Sequence, residues 1–276
     1  MQEITTLLDS SPAILLICSS VFGACVGSFL NVVAARLPGM LFHGWRSQCR
    51  EVLEIEDGKE EAPDDLMQPP SRCPNCKTKL RWYHNIPVLG YTMLRGRCAF
   101  CGVRISARYP LVELAAALLT AHAALCFGPG ITLAYALILI YSLLVLTLID
   151  LDHQLLPDNV VLPLLWIGLL ANLNNQFASL QSAVIGAMAG YMVLWTIYQV
   201  HHRLTGKEGM GYGDFKLLAA LGAWFGWQAL PVIILTASLI GTGIAVLLML
   251  FRGHNRVQLC AHPLHAGRVL AHSLAR

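Results

Sequence analysis

The chain has 276 residues, of which 56% are hydrophobic and only 13% are charged, and its formal net charge is +3. Soluble domains typically have about 25% charged residues, so the composition excludes an ordinary soluble protein and indicates a membrane protein. The small net charge gives no reason to expect nucleic acid as a partner.

The first apolar segment runs from about Ala13 to Ala35, which exceeds the ~20 residues that a helix needs to cross a bilayer. No basic region precedes it, so we expect it to remain in the mature chain rather than to be a signal peptide. The sixth span along the chain is short, so we expect it to begin in protein-lined or wet surroundings. The six spans after the first are predicted at about 110–127, 130–149, 157–173, 180–200, 214–227 and 229–251.

Lysine and arginine residues set the predicted orientation. If the N-terminus is outside and the chain alternates, all nineteen lie on one side, and twelve of them fall between Arg36 and Arg108. By the positive-inside rule this side is the cytoplasm. The predicted organisation is a first span at 1–35, a cytoplasmic loop at 36–109, a membrane core at 110–251 and an atypical tail at 252–276.

The cytoplasmic loop begins with an acidic stretch and then carries two cysteine pairs. The stretch "REVLEIEDGKEEAPDDLMQPP" is acidic and poor in aromatics, which indicates a solvated, mobile linker; it could also attract a basic peptide. Cys73, Cys76, Cys98 and Cys101 form two C-x-x-C pairs separated by 21 residues. This spacing is typical of a zinc ribbon, in which each pair supplies two thiolates to a tetrahedral ion.

The same cysteines could instead form two structural disulfides or a redox pair. Reducing conditions on the predicted cytoplasmic side disfavour disulfides, and a redox dithiol needs no second pair. A structural metal would also supply folding free energy to a loop with few aliphatic residues. The remaining cysteines are scattered, and those in helices are interpreted as packing residues.

Two acids are predicted to reach the same membrane face. Asp150 ends the third span in "SLLVLTLIDLDHQLLPDNVVLPLL", and Asp214 opens the sixth span in "GMGYGDFKLLAALGAWFG". With the orientation above, both ends are cytoplasmic. Two neighbouring carboxylates tend to share a proton, and such a pair can activate water against a peptide carbonyl. The sequence therefore predicts a catalytic dyad.

Each acid could also have a purely structural role. Asp214 with Lys216 could be an interfacial helix start, Asp158 beside Pro157 suits a helix N-terminus, and Asp152 could simply be solvated. Glu113, inside the second span, is as well accounted for by pairing with a loop arginine as by catalysis.

Glycines and histidines near the acids are further candidate site residues. Gly209, Gly211 and Gly213 are expected to let the backbone approach a substrate and to adopt dihedrals that other residues avoid. A phosphate loop is disfavoured because no strand precedes them. The histidines are interpreted as solvated residues of cytoplasmic turns rather than metal ligands, because no H-E-x-x-H motif is present: His153, His201 and His202.

With these motifs in place, the sequence resembles the type IV prepilin peptidases, bifunctional leader peptidases and N-methyltransferases of pilus and type II secretion systems. The resemblance rests on "GACVGSFLNVVAARLP", "CPNC", "CAFCG", "ISARYPLVEL", "LIDLDHQLLPD" and "GMGYGDFKLLAALGAWFGW". It implies that Asp150 and Asp214 are catalytic, the latter in the G-x-G-D signature at 211–214. It also implies that Cys73, Cys76, Cys98 and Cys101 bind zinc.

The resemblance further implies cleavage of basic leaders from prepilins and pseudopilins at the cytoplasmic face of the bacterial inner membrane. N-methylation from S-adenosylmethionine is implied by the resemblance alone, around the first cytoplasmic loop. After Leu250 the family continues into an eighth span, whereas this chain reads "FRGHNRVQLCAHPLHAGRVLAHSLAR", which resembles a replaced C-terminus.

The predicted fold class is an all-α, polytopic transmembrane helical bundle with a small zinc-binding cytoplasmic loop domain. Seven spans are visible, and the bilayer is the expected environment. The predicted function is a membrane aspartic endopeptidase acting on prepilin and pseudopilin leaders. Two alternatives are a proton-coupled transporter that uses Asp150, Asp214 and Glu113 as a relay, and a membrane scaffold whose zinc loop binds a partner.

Overall fold

The computed structural model describes residues 12–54, 63–206 and 211–252, and these fold into helices joined by short connections. Within the described ranges the only β structure is two isolated bridges in the cysteine-containing loop, so the all-α prediction is confirmed. Two 3₁₀ helices cover Trp82–Asn85 and Trp227–Ala229. The α-helices are α1 Pro12–Val52, α2 Leu89–Met93, α3 Arg108–Phe127, α4 Ile131–His153, α5 Asp158–Asn172, α6 Leu180–Thr205, α7 Tyr212–Phe225 and α8 Leu230–Arg252.

Each of the seven predicted spans corresponds to a helix, and the multi-pass membrane prediction is confirmed. Five helical segments are long and apolar enough to cross a bilayer: α1, α3, α4, α6 and Trp227–Ile244. Helices α5 and α7 have 15 and 14 residues. At 1.5 Å per residue they extend about 22 Å, less than the ~30 Å hydrocarbon thickness.

Three helices, α1, α4 and α6, continue beyond their predicted apolar spans. Helix α1 extends through Pro38 to Val52, because the polar residues after Ala35 include good helix formers. The predicted linker therefore begins in a helix, and its residues 55–62 lie outside the described residues. Helix α6 continues to Thr205 and ends at Gly206 in the left-handed conformation.

The helical continuations correct the prediction for the three histidines. His153 is the last residue of α4, and His201 and His202 lie near the end of α6. The sequence predicts them in turns because hydropathy marks where a helix leaves the bilayer and not where its backbone hydrogen bonding stops. The ring of His202 stacks on Tyr198.

The described residues divide into two compact units, with the boundary in sequence between Ile149 and Asp150. In the first unit, α1 packs closely against α3. A Cβ atom on Gly23 would lie 2.7 Å from the carbonyl oxygen of Ala116, and one on Gly27 would lie 2.8 Å from the Ala116 Cβ. The side-chain amide of Asn31 donates to the carbonyl of Tyr109 at 3.2 Å. These contacts set where the loop between the two helices begins and ends.

In the second unit, α7 is held between α5 and α6. Gly186 of α6 and Gly222 of α7 bring their backbones into direct contact, where a Cβ atom would clash. At the far end of α7, the buried Asn172 amide donates to the Trp224 carbonyl at 2.9 Å. The Trp224 indole in turn donates to the Leu164 carbonyl of α5 at 2.9 Å. This packing fixes the axis of the helix that carries Asp214.

Candidate active site and cysteine cluster

Asp150 lies in the last turn of α4 and is half-buried. Its backbone carbonyl accepts a hydrogen bond from the Gln154 amide at 2.9 Å, which closes the helix. The chain then turns through a short connection, and Pro157 precedes the first residue of α5. The residue is thus presented at the end of a long apolar helix, as the sequence predicts.

Asp214 lies in the first turn of α7 and is also half-buried. Its amide donates to the carbonyl of Gly211 at 3.3 Å. The carboxylates of Asp150 and Asp214 interact electrostatically, so the second unit brings these two acids together. The dipole of a helix also favours an acid in its first turn. Asp214 is therefore subject both to the dipole of α7 and to the carboxylate of Asp150.

Gly211 and Gly213 do not have the positive φ that the sequence predicts for these glycines. Gly211 has φ −77° and ψ 142°, which any residue can adopt, and nothing lies within 4 Å of a Cβ placed there. Gly213 is needed for space, since its Cβ would lie 2.9 Å from the Cβ of Leu156. It therefore allows a close approach of α7 to the α4–α5 connection. Gly209 lies outside the described residues.

A salt bridge links the starts of α5 and α7. The ammonium of Lys216 donates to both carboxylate oxygens of Asp158, at 2.8 and 2.7 Å. Asp158 is the first residue of α5 and follows Pro157, so its predicted position at a helix N-terminus is confirmed. Asp152 is exposed, two residues beyond Asp150 in α4.

Glu113 is buried in α3 of the first unit, with 8% of its surface exposed. Its carboxylate accepts a hydrogen bond from the backbone amide of Val88 at 2.7 Å. The described residues include no ion pair between Glu113 and an arginine, so the predicted arginine pairing is not found there. A backbone amide is the hydrogen-bond partner of the buried carboxyl group in its place.

The four cysteines of the two C-x-x-C pairs form a cluster in the first unit. Their sulfur atoms all lie within 4.8 Å of one another, and Cys73 and Cys101 are 3.8 Å apart. A tetrahedral zinc ion with Zn–S bonds of ~2.3 Å places its sulfurs about 3.8 Å apart. Cys73, Cys76, Cys98 and Cys101 are free thiols in this structure. The cluster could hold a metal ion, and its donor set fits zinc.

The two C-x-x-C pairs sit in nearly identical turns. The amide of Lys77 donates to the Cys73 carbonyl at 2.9 Å, and that of Gly102 donates to the Cys98 carbonyl at 3.0 Å. Lys77 and Gly102 both have positive φ, 59° and 70°. An antiparallel bridge closes each turn, Arg72 with Lys79 and Arg97 with Arg104. Two matched turns facing one sulfur cluster are the geometry of a four-thiolate metal site.

Hydrogen bonds at two of the four sulfurs, those of Cys76 and Cys98, favour the thiolate, the form that binds metal, whereas burial and the neighbouring thiols of Cys98 and Cys76 raise the pKa of Cys73. The side chain and backbone of Thr78 lower the pKa of Cys76 to about 6. The backbone amides of Phe100 and then Cys101 lower the pKa of Cys98. The Cys76 and Cys98 thiols both lie outside the membrane helices. The pKa of an unperturbed thiol is near 8.5.

Comparison with known protein families identifies the family of this chain. Residues 21–127 match the model of the bacterial peptidase A24 N-terminal domain, and residues 137–246 match that of the type IV leader peptidase family. The chain belongs to the type IV leader peptidase family. No solved structure gives a significant match.

Relatives of this leader peptidase are similar over most of their length and carry one name, prepilin leader peptidase/N-methyltransferase. The protein from Aeromonas hydrophila is 52% identical over 91% of this chain and 85% of its own. The protein from Pseudomonas aeruginosa is 49% identical over 89% of this chain and 84% of its own, and the protein from Neisseria gonorrhoeae is 47% identical over 86% of this chain and 83% of its own. These relatives support prepilin processing as the function, and they do not favour the transporter or scaffold alternatives.

Sequence reasoning missed the Lys216–Asp158 pair, although the signal was present. The alternation of spans that brings Asp150 and Asp214 to one face brings Lys216 and Asp158 there as well, because each is near the start of its helix. Opposite charges at one membrane depth could have been paired in the same way. The contact between Gly213 and Leu156 had no comparable signal, because no periodicity relates a glycine to a connection more than fifty residues away.

Proposed function

We propose that Asp150 and Asp214 are the catalytic pair of this membrane aspartic endopeptidase. The observation that carries the proposal is the electrostatic interaction between these two half-buried carboxylates at the end of α4 and the start of α7. Two close carboxylates ionise together only at a free-energy cost, so one holds a proton while the other is charged. Their titration belongs to the pair rather than to either residue.

A pair in this state has both groups that peptide hydrolysis needs. The charged carboxylate takes a proton from a water molecule, whose oxygen attacks the scissile carbonyl carbon. The protonated carboxyl donates to the developing oxyanion, and a proton is then delivered to the leaving nitrogen as the C–N bond breaks. A new carboxylate and a free amine result, and no covalent enzyme intermediate is formed.

We propose prepilins and pseudopilins as the substrates, cut at the cytoplasmic face of the bacterial inner membrane. The relatives' printed name supports the substrate class, and the lysine and arginine distribution supports the orientation. A prepilin would present its basic leader to the cytoplasm and its apolar helix to the bilayer. Its scissile bond would then arrive at the boundary where α7 begins, and cleavage there needs no deep entry of water.

The name of the relatives also supports a second activity, methylation of the new N-terminus with S-adenosylmethionine as the methyl donor. No residue of this chain is assigned to that cofactor. Methylation requires a free amine, so cleavage comes first.

We propose zinc as the metal of the cysteine cluster, with a structural role. Cys73, Cys76, Cys98 and Cys101 would hold it as thiolates, and the ion would cross-link the two turns of a loop that has a small apolar core. Its proposed contribution is folding free energy rather than chemistry on the peptide.

The experiment is incubation of the purified protein with a synthetic prepilin and S-adenosylmethionine, followed by mass analysis. We expect loss of the leader and one added methyl group on the mature product. Leader loss without methylation would contradict the methyltransferase proposal alone, whereas an unchanged substrate would contradict the peptidase proposal.

A further inference from the structure

The loop segment between the two cysteine pairs is tied to the side of a membrane helix. The Val88 amide donates to the Glu113 carboxylate of α3 at 2.7 Å, and Glu113 is buried. Glu113 lies five residues after Arg108, where α3 begins, and is therefore about 7.5 Å further along the helix axis. The headgroup layer on each side of a bilayer is about 5–7 Å thick. The hydrogen bond therefore holds Val88 beside Glu113, at a distance from the start of α3 that is comparable to the thickness of that layer.

The residues next to this tether are exposed and apolar. Leu89 and Met93, with 58% and 69% of their surface exposed, are four residues apart in α2 and so lie on one face of it. Trp82, in the 3₁₀ helix that precedes α2, is 80% exposed. On α3 itself, Leu111 and Leu114 are also exposed, on the part of the helix surface turned away from the buried Glu113. The loop therefore carries its own exposed apolar surface and is tethered through Val88 to a helix whose exposed side is apolar as well.

The segment is compact enough to present this surface in a fixed way. Gly90 lies directly against the carbonyl of His84, where a Cβ would clash, so α2 packs tightly on the 3₁₀ helix. Val88 has φ 60°, which is unusual for a β-branched residue and persists only when its surroundings hold it. Its hydrogen bond to Glu113 is such a restraint.

Cations flank the segment. Arg81 precedes it and Arg95 follows it, and both are exposed. The Arg81 guanidinium lies over the Tyr83 ring and donates to its hydroxyl at 2.7 Å. Tryptophan and tyrosine are enriched at membrane interfaces, and basic residues there are attracted to anionic lipids.

We propose that the segment Trp82–Met93 is a lipid-contacting element, held in the headgroup layer by the Glu113–Val88 hydrogen bond with Leu89 and Met93 facing the bilayer. The loop between the cysteine pairs would then rest on the membrane rather than project into solution. The partner is the bilayer interface itself, and neither Asp150 nor Asp214 takes part in this contact.

The test is photo-crosslinking of the full chain in vesicles of phosphatidylethanolamine and phosphatidylglycerol that contain a fluorescent lipid. A benzophenone amino acid replaces Met93 in one variant and Lys79, an exposed residue of the first cysteine turn, in the control. We expect a lipid adduct at Met93 several-fold stronger than at Lys79. A Met93 adduct no stronger than the control, or one formed with protein instead of lipid, would overturn the proposal.

The tether is tested in the Met93 crosslinking variant. Glu113→Leu removes the acceptor of the Val88 amide, so we expect the lipid adduct to fall several-fold. Glu113→Gln keeps a side-chain oxygen that can accept the same bond, so the adduct should persist. An undiminished adduct in Glu113→Leu would refute the tether. The comparison of Met93 with Lys79 is made with Glu113 unchanged, so it tests lipid contact even if Glu113→Leu fails to fold.

Discussion

Replacing Gly213 by alanine tests how closely the start of α7 approaches the α4–α5 connection. The added Cβ would lie 2.9 Å from the Cβ of Leu156, whereas carbon atoms in good contact are at least ~3.5 Å apart. The two backbones must therefore separate by about 0.6 Å or more, because a Cβ atom cannot rotate away. Overpacking of this kind costs about 1–3 kcal/mol. Asp214 is the next residue and moves with the helix start.

A misplacement approaching 1 Å at a catalytic group can cost about 100-fold in rate. We therefore expect Gly213→Ala to lower kcat/KM for prepilin cleavage by about 10- to 100-fold and to lower the thermal unfolding temperature in detergent. Gly211→Ala is the matched control, because its Cβ meets nothing within 4 Å and its backbone angles suit alanine, so its unfolding temperature should not change. A Gly213→Ala protein with normal stability and normal cleavage would refute the reasoning.

Three further predictions concern the salt bridge, the metal and the order of the two activities. Lys216→Met and Asp158→Asn should each lower kcat by no more than about 5-fold, since an exposed pair contributes about 1 kcal/mol or less, and the charge-swapped double variant should recover part of it; a double variant worse than both single variants would argue against the pair as a positioning device. Gently purified protein should contain about one zinc per chain, and Cys73→Ser with Cys76→Ser should release it. Because protons compete with zinc for the thiolates, zinc should be retained at pH 7 and released on acidification, and metal-free protein with paired disulfides would contradict this. A dyad variant should methylate a precleaved peptide but not intact prepilin, and accumulation of methylated, uncleaved prepilin in a time course would overturn that order.

The membrane fold could be predicted from the sequence because hydrocarbon imposes a length and a composition that can be counted. The cysteine cluster was equally accessible, since two C-x-x-C pairs in one loop leave few geometries, and the structure gathers the four sulfurs. Asp150 and Asp214 were brought to one face by the alternation of spans alone. For each of these features, the physical constraint can be read from the order and spacing of residues along the chain.

Features that hydropathy does not record were missed. The continuation of α1 to Val52 and of α6 to Thr205 is decided by local helix-forming tendency and backbone hydrogen bonding, which the length of an apolar segment does not measure. The role of Gly213 depends on Leu156, and the partner of Glu113 is a backbone amide that carries no sequence signal. Backbone groups are the same at every position, so such partners become visible only in three dimensions.

The central claim is that Asp150 and Asp214 act together as the peptidase, and the direct measurement is cleavage of prepilin by Asp150→Asn and Asp214→Asn proteins reconstituted in vesicles. Asn keeps the size of each side chain but cannot serve as base or acid, so each variant should insert normally and lose cleavage to background. Asp152→Asn, an exposed acid two residues from Asp150 in the same helix, should retain near-normal activity. Near-normal cleavage by either dyad variant, or loss of cleavage in Asp152→Asn alone, would contradict the assignment.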